Sequence, residues 1–417
     1  MLNRNSPREI GRKGCWKMIR EFPVDRWLKL ILAVTLMMFI PAAIAKAAKP
    51  VVYLQPICTY DNSINNIQLD ETHRRQLDSM IKTKLRQMAA DGDLPYELRE
   101  VAASDHHSSD EHLVEEDKIF LYPAVIVSSS IDTANNNTLE TAYTSTVIAG
   151  VSLLFCMPEE NLNLDRVGRE GNTVSLRLLG IVPLAEAETI GIPTYDSKKD
   201  VWRNLRREPI SQTEKADRVI SLVKQMLKED ISFSNIKSNL KDDKAKLGND
   251  TYQVVNVGMS SKIAQEMFPG QEAEELKFLV GYYFTAAYQK KTKRVVYPPA
   301  VGSNPLADKI VDAAYKISLD SINGRVDVAM SNPKHPIRLD ISGMGSETVE
   351  SGDYVYTFLH KVWLAKSPVE GDEKAELSRL SQRTVKLPPG TSTDYDDKMV
   401  YSALLLGLAQ ELGGQKR

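Results

Sequence analysis

The stretch Trp27 to Ala45, WLKLILAVTLMMFIPAAIA, constrains this chain before any fold is considered. From Leu30 to Ile40 every residue except Thr35 is apolar, Pro41 follows, and small residues follow the proline. Residues 1–45 carry eight Lys and Arg against three acidic residues. A basic lead, a short apolar core, a helix break and a small-residue tail form the layout of a secretory signal. Everything downstream is therefore expected to fold outside the cytoplasm, in a periplasm or another exported location. Cleavage after Ala45 or after Ala47 satisfies the small-x-small rule, and the first is preferred. The alternative is a retained anchor. A bilayer span needs about 20 predominantly apolar residues, and this core reaches that only by counting past Pro41.

Loss of residues 1–45 moves the formal net charge from −2 to about −7. Nucleic-acid binding needs clustered Lys and Arg to meet phosphates, and an acidic exported chain does not offer them. No later apolar run approaches a span, so no membrane crossing is expected after signal removal. About 370 residues remain, a length that suits two domains.

The remaining chain passes twice through one pattern. Val51–Leu54 is a short buried strand, and Leu77, Ile81, Leu85 and Met88 then recur at helical spacing up to Asp91-Gly92. Tyr96 to Val101 reads as a second strand, followed by a polar loop over 102–117. Ile119–Ser128, Ala142–Cys156 and Val174–Leu184 are three further strands, the first two separated by an Asn135-Asn136-Asn137 turn. Ser211 with Glu214 three residues on is a capping box, opening a helix with Ala216, Ile220, Val223 and Leu227 on one face. Residues 234–250, rich in Lys and Asp, read as a linker across which little core should pass.

After the linker, Tyr252–Val257 is a strand, and a helix follows with Leu276, Val280, Tyr283 and Ala287 on one side. Arg294–Tyr297 is a strand. Pro305–Ser321 reads as a helix, with Leu306, Ile310, Ala313 and Ile317 inward. Three strands (Arg325–Met330, Ile337–Ile341, Tyr354–Ala365), an edge piece near Arg379–Leu387 and a last helix, Asp396–Leu412, complete the pass. The expected fold is α+β: a signal over 1–45, one domain over 46–233, a linker over 234–250 and a similar domain over 251–417. Each domain is a twisted mixed sheet with helices on one face.

An apolar first strand (VVYLQP, Val51 to Pro56), a Leu-spaced helix, a second strand, a meander and a closing helix resemble the small α/β domain of bacterial envelope proteins. The N-terminal domain of the Tol-system propeller protein and the curli-secretion lipoprotein share that plan. The resemblance implies interaction or assembly work in a bacterial envelope and carries over no functional residue. Unlike the curli protein, this chain has no Cys at the end of its signal to carry a lipid.

Candidate chemistry is sparse. Asp105 to His112 holds three of the six histidines, His106, His107 and His112, beside carboxylates able to ligate zinc or copper. An exposed acidic loop has the same composition, and that reading is preferred, so no metal or cofactor is expected. Gly343-Met344-Gly345-Ser346 lacks the third Gly of a dinucleotide fingerprint and precedes acidic residues, so it reads as a hairpin loop. Neither Gly-x-Ser-x-Gly nor His-Glu-x-x-His occurs. His360 is expected on a half-buried strand face, and His335 in a turn. Cys58 and Cys156 are the two cysteines left after export. An oxidising compartment favours a bridge. At strand ends the two can meet if those strands run parallel side by side, or if a turn folds one end back, but not if they are antiparallel neighbours. Buried free thiols are the alternative. The function expected is protein–protein interaction in the cell envelope without catalysis. The alternatives are an exported hydrolase with an unrecognised site, or a metal-binding protein using the His106/His107/His112 loop.

Overall fold

The computed structural model describes residues 49–60, 65–100, 118–136, 141–158, 173–191, 194–196, 198–199, 201–203, 206–233, 236, 251–300, 315–321, 324–330, 333–351, 356–367, 377–387 and 393–414. The segments read from the sequence as a signal (1–45) and as a polar loop (102–117) lie outside them. Residues 50–417 cluster as one unit, of mixed α+β class.

Strand β1 (Val51–Leu54) and the short β2 (Cys58–Tyr60) run along the same edge of a long strand, β4 (Ile119–Asn136). Helix α1 (Glu71–Asp91) starts where the Asp70 side chain accepts from the backbone N–H of His73. It ends at Gly92, whose φ of 81° lies in the left-handed region that glycine occupies without a Cβ penalty. Leu77, Ile81, Leu85 and Met88 form its buried stripe, as their spacing requires. The chain returns through β3 (Glu97–Glu100), parallel to β1.

Strands β4, β5 (Thr141–Pro158) and β6 (Thr173–Ile190) form an antiparallel meander. All three are longer than their apolar cores, because polar ends rich in Ser and Thr continue the ladder. A small hairpin, β7 (Thr194–Asp196) and β8 (Val201–Arg203), precedes α2 (Gln212–Met226), which Ser211 caps by accepting from the Glu214 N–H. The meander is buried on both faces. Leu121, Val125, Val151, Leu153 and Phe155 meet α1 and α2, while Phe120, Tyr122, Ala124, Ile148 and Leu154 belong to a second core on the other side. That double burial explains the nearly unbroken apolar run of β5.

The later residues build a second sheet. Its strands are β9 (Thr251–Gly258), β10 (Val295–Tyr297), β13 (His335–Ser351), β14 (Tyr356–Lys366) and β15 (Leu377–Leu387). Its order is β10-β9-β13-β14-β15, with β9 parallel to β10 and β13, and β13-β14-β15 antiparallel. The first sheet contains β3-β1-β4-β5-β6 with the same sequence of parallel and antiparallel pairs. Among the described residues of this stretch, three helices form: α3 (Lys262–Met267), α4 (Gln271–Thr292) and α5 (Thr393–Gly413).

Helices α4 and α5 pack on each other and on the second sheet, and their far sides pack on the first sheet. The order of layers is α1 and α2, first sheet, α4 and α5, second sheet. An α4 with one apolar side is therefore not what forms: Phe278, Leu279, Val280, Tyr282, Tyr283 and Phe284 are all buried, because both sides of the helix meet a sheet. Gly150 makes the closest approach possible, since a Cβ there would lie 2.5 Å from Cε1 of Tyr282. The Tyr282 hydroxyl sits 2.9 Å from the Ser152 hydroxyl and donates to the Leu184 carbonyl at 3.3 Å.

Two further expectations are corrected. Residues 315–321 are not helical: β11 (Tyr315–Ser321) and β12 (Gly324–Met330) form a tight hairpin, with Ser321 opposite Gly324. Ile317 and Leu319 alternate inward as strand residues, and Asn323-Gly324 is the hairpin signal that the helical spacing obscured. The hairpin joins the first sheet, β12 parallel to β6 and β11 antiparallel to β2. Since β2 also pairs with β4, the strands β2-β11-β12-β6-β5-β4 close into a ring. Gly343-Met344-Gly345-Ser346 is not a hairpin loop but the middle of β13, beside a bulge between Ile341 and Gly343. Of the 234–250 stretch only Ile236 is described, and it is fully buried against Gly180 of β6.

Candidate functional site

His106, His107 and His112 lie outside the described residues. Among the described residues, no group of three or more His, Cys, Asp and Glu is placed to hold a metal ion. Cys58 opens β2 and Cys156 lies near the end of β5, and both are buried free thiols. Cys58 pairs with Ala124 on one edge of β4, and Cys156 pairs with Phe120 on the other. Strand β4 therefore separates them by two strand spacings, about 9–10 Å before any offset along the strand, against a limit of about 7 Å between the Cα atoms of a bridge. Burial pushes both thiols well above their ordinary pKa, and the Cys58 thiol donates to the Pro123 carbonyl at 3.4 Å.

His335 is not in a turn. It opens β13, and its ring stacks on Tyr252 at 4.5 Å, with the Arg294 guanidinium 4.6 Å from the same tyrosine ring. His360 is fully buried rather than half-buried, its ring edge-on to Tyr401 of α5 at 5.2 Å. Each histidine belongs to the packing of the second sheet.

One feature escaped the sequence reading. The N-terminal ends of α1 and α2 border a cleft of about 520 Å³ whose walls include Tyr60, Asp70, His73, Arg74, Ser128 and Asp320. Asp70 Oδ1 lies 2.6 Å from Nδ1 of His73, and Asp217 Oδ1 of α2 lies 3.5 Å from its Nε2. The backbone N–H of His73, above all, holds the Asp70 carboxyl below its ordinary pKa. Nδ1 of the imidazole faces Asp70 and Nε2 faces the exposed Asp217 carboxylate, whereas a hydrolytic triad sets a hydroxyl nucleophile at the second ring nitrogen. The Ser128 hydroxyl is committed to the Ile67 carbonyl at 3.2 Å. The arrangement fastens α1 to α2. Its only sequence signal was Asp70 three residues before His73, the spacing of a helix cap.

The second sheet carries the other candidate. Its inner face meets α4 and α5, and the opposite face presents Gly343, Glu347, Lys361, Trp363 and Leu380. Lys361 Nζ binds Glu347 at 2.8 Å. A Cβ on Gly343 would come within 2.6 Å of the Trp363 ring, so the indole lies across the glycine. Leu380 on β15 is 47% exposed, and β15 ends the strand order with no further strand beside it among the described residues. The ladder from β14 to β15 runs from Tyr356–Leu387 to Lys366–Leu377 without a bulge. Among the described residues, no strand pairs with the outer backbone N–H and C=O groups of this regular edge, the kind of edge to which another strand can add.

No helix among the described residues is long and apolar enough to cross a membrane. No protein-family model and no curated protein matches the chain. Among solved structures, a hypothetical protein from Chlamydia trachomatis is similar at 11% identity, over 43% of this chain and 98% of that one, with a TM-score of 0.18.

Proposed function

We propose that this chain is an exported protein of the bacterial cell envelope, built as a tandem of two similar α+β units and acting by protein–protein contact. The observation that carries the reading is the bulge-free edge of β15, which no strand among the described residues covers, beside an exposed Leu380 and the Trp363 indole. Edges of this kind are normally shortened, covered or kinked in proteins that work alone. The tandem reading rests on the strand order shared by the two sheets, and the exported location on the Trp27–Ala45 segment.

The test is a photo-activatable cross-linking residue placed at Leu380 in the cell of origin. The expected result is one discrete adduct of higher mass. The same residue at Gln87, exposed on α1, should give none. Blank lanes from both positions, or identical smears, would remove the support for an interaction role.

A further inference from the structure

We propose that β15 is a docking edge for an extended, acidic segment of a partner protein, which adds to the second sheet beside the five strands described. The inference rests on the interaction role proposed above and names the chemistry of the partner. Strand addition supplies main-chain hydrogen bonds to the unpaired groups of an edge, and side chains then select the partner.

The first sheet shows the same edge already filled. Strand β6 holds the place in its sheet that β15 holds in the second, at the end of the meander. The free side of β6 receives β12, paired from Arg325–Thr173 to Ala329–Arg177. A strand from outside the meander thus completes this edge in one half, and none among the described residues completes it in the other.

Charge selects the occupant. Leu377–Leu387, LSRLSQRTVKL, contains three basic residues and no acidic one. Arg379 is tied to Glu411 of α5 at 2.6 Å, and Arg383 is exposed. A second copy pairing antiparallel about Gln382 would bring both sets of basic residues onto neighbouring strands, where like charges repel. An acidic strand meets the same positions with attraction.

The probe is a blocked nonapeptide alternating Glu with Val and Thr, added to the full exported chain, with a peptide carrying Lys in place of Glu as control. Backbone hydrogen exchange should slow in residues 377–387 with the acidic peptide alone. It should not change at β3, the opposite edge of the first sheet. Affinity should fall about tenfold between about 50 and 500 mM salt, as expected for screened surface charges. Arg383→Glu should weaken binding about fivefold, and Arg383→Gln by less. Equal protection by the lysine peptide, protection confined to other segments, or slowing of 377–387 with protein concentration alone would overturn the proposal. If the Leu380 adduct forms and the acidic peptide leaves 377–387 unprotected, the acidic strand is refuted while the interaction role stands. If neither appears, both fall.

Discussion

Cys58, Cys156, Tyr96, Tyr122, Tyr282 and Tyr283 share one electrostatic situation: burial disfavours their ionised forms and pushes every one of their pKa values up. The unfolded chain would release these protons near the ordinary values of 9.0 for the thiols and 10.0 for the phenols. Below those values both states hold the proton, and the groups leave stability unchanged. Above them the native state binds more protons than the unfolded state, so stability falls as the pH rises. Each group adds about 1.4 kcal/mol per pH unit to the slope. Urea midpoints should be flat from about pH 7 to 8 and fall through about pH 9 and 10. Cys58→Ala with Cys156→Ala should remove the part that begins near pH 9. A midpoint independent of pH up to about 11 would show that these side chains ionise in place. Only part of this was legible beforehand. The residue type announced that Cys58 and Cys156 would be buried, but their separation by β4 depends on which strands become neighbours.

Elements were legible where one periodicity dominated and a cap punctuated it. Helix α1 between Asp70 and Gly92, and α2 after Ser211, run where their spacing placed them. Reading failed where two patterns shared the same residues. Ile317 completes a helical row with Leu306, Ile310 and Ala313, and it alternates with Tyr315 and Leu319 just as well. The strand wins because β2 and β12 offer it hydrogen-bonding neighbours, one of them more than 250 residues away in the chain. Gly343 and Gly345 failed for a different reason: glycine suggests a turn, yet in a strand it also marks a close approach. The two glycines of β13 separate these meanings. An added Cβ at Gly343 would press on the Trp363 ring at 2.6 Å, while at Gly345 nothing lies within 4 Å. Gly343→Ala should cost about 1–2 kcal/mol and shift the Trp363 emission, read in residues 46–417 carrying Trp202→Phe so that Trp363 is the one indole left. Gly345→Ala should be neutral or slightly stabilising, since alanine removes backbone freedom from the unfolded chain. Equal effects at both positions would mean that the indole does not rest on Gly343.

At the scale of the molecule, sequence order and spatial order part company. The two passes through one pattern suggested two bodies joined at residues 234–250, each able to fold alone. Layer order argues the opposite, because the helices that serve the second sheet also serve the first. One core contains Ala124, Ile148, Leu154 and Leu176 together with Phe278, Tyr282, Val328 and Leu405. Hydrophobic pattern reports that a face will be buried, and it cannot report against what. This is why α4 looked like a helix with one inner side. The consequence can be measured by cutting the chain. A fragment of residues 46–240 would lose Ile317, Leu319, Val326 and Val328 from the strand ring, and Phe278 and Tyr282 from the face beyond it. Six such side chains, at roughly 1.5–3 kcal/mol each, are worth on the order of 10 kcal/mol. That is comparable with the whole stability of a typical domain, about 5–15 kcal/mol. Residues 250–417 alone would leave the first-sheet side of α4 and α5 in water. Neither fragment should therefore show a cooperative urea transition by circular dichroism. An equimolar mixture should recover one, at a midpoint that rises with protein concentration, as association requires. Two cooperative transitions from the separated fragments, at midpoints near that of the intact chain, would show that the shared core contributes little and that each pass through the pattern is self-sufficient.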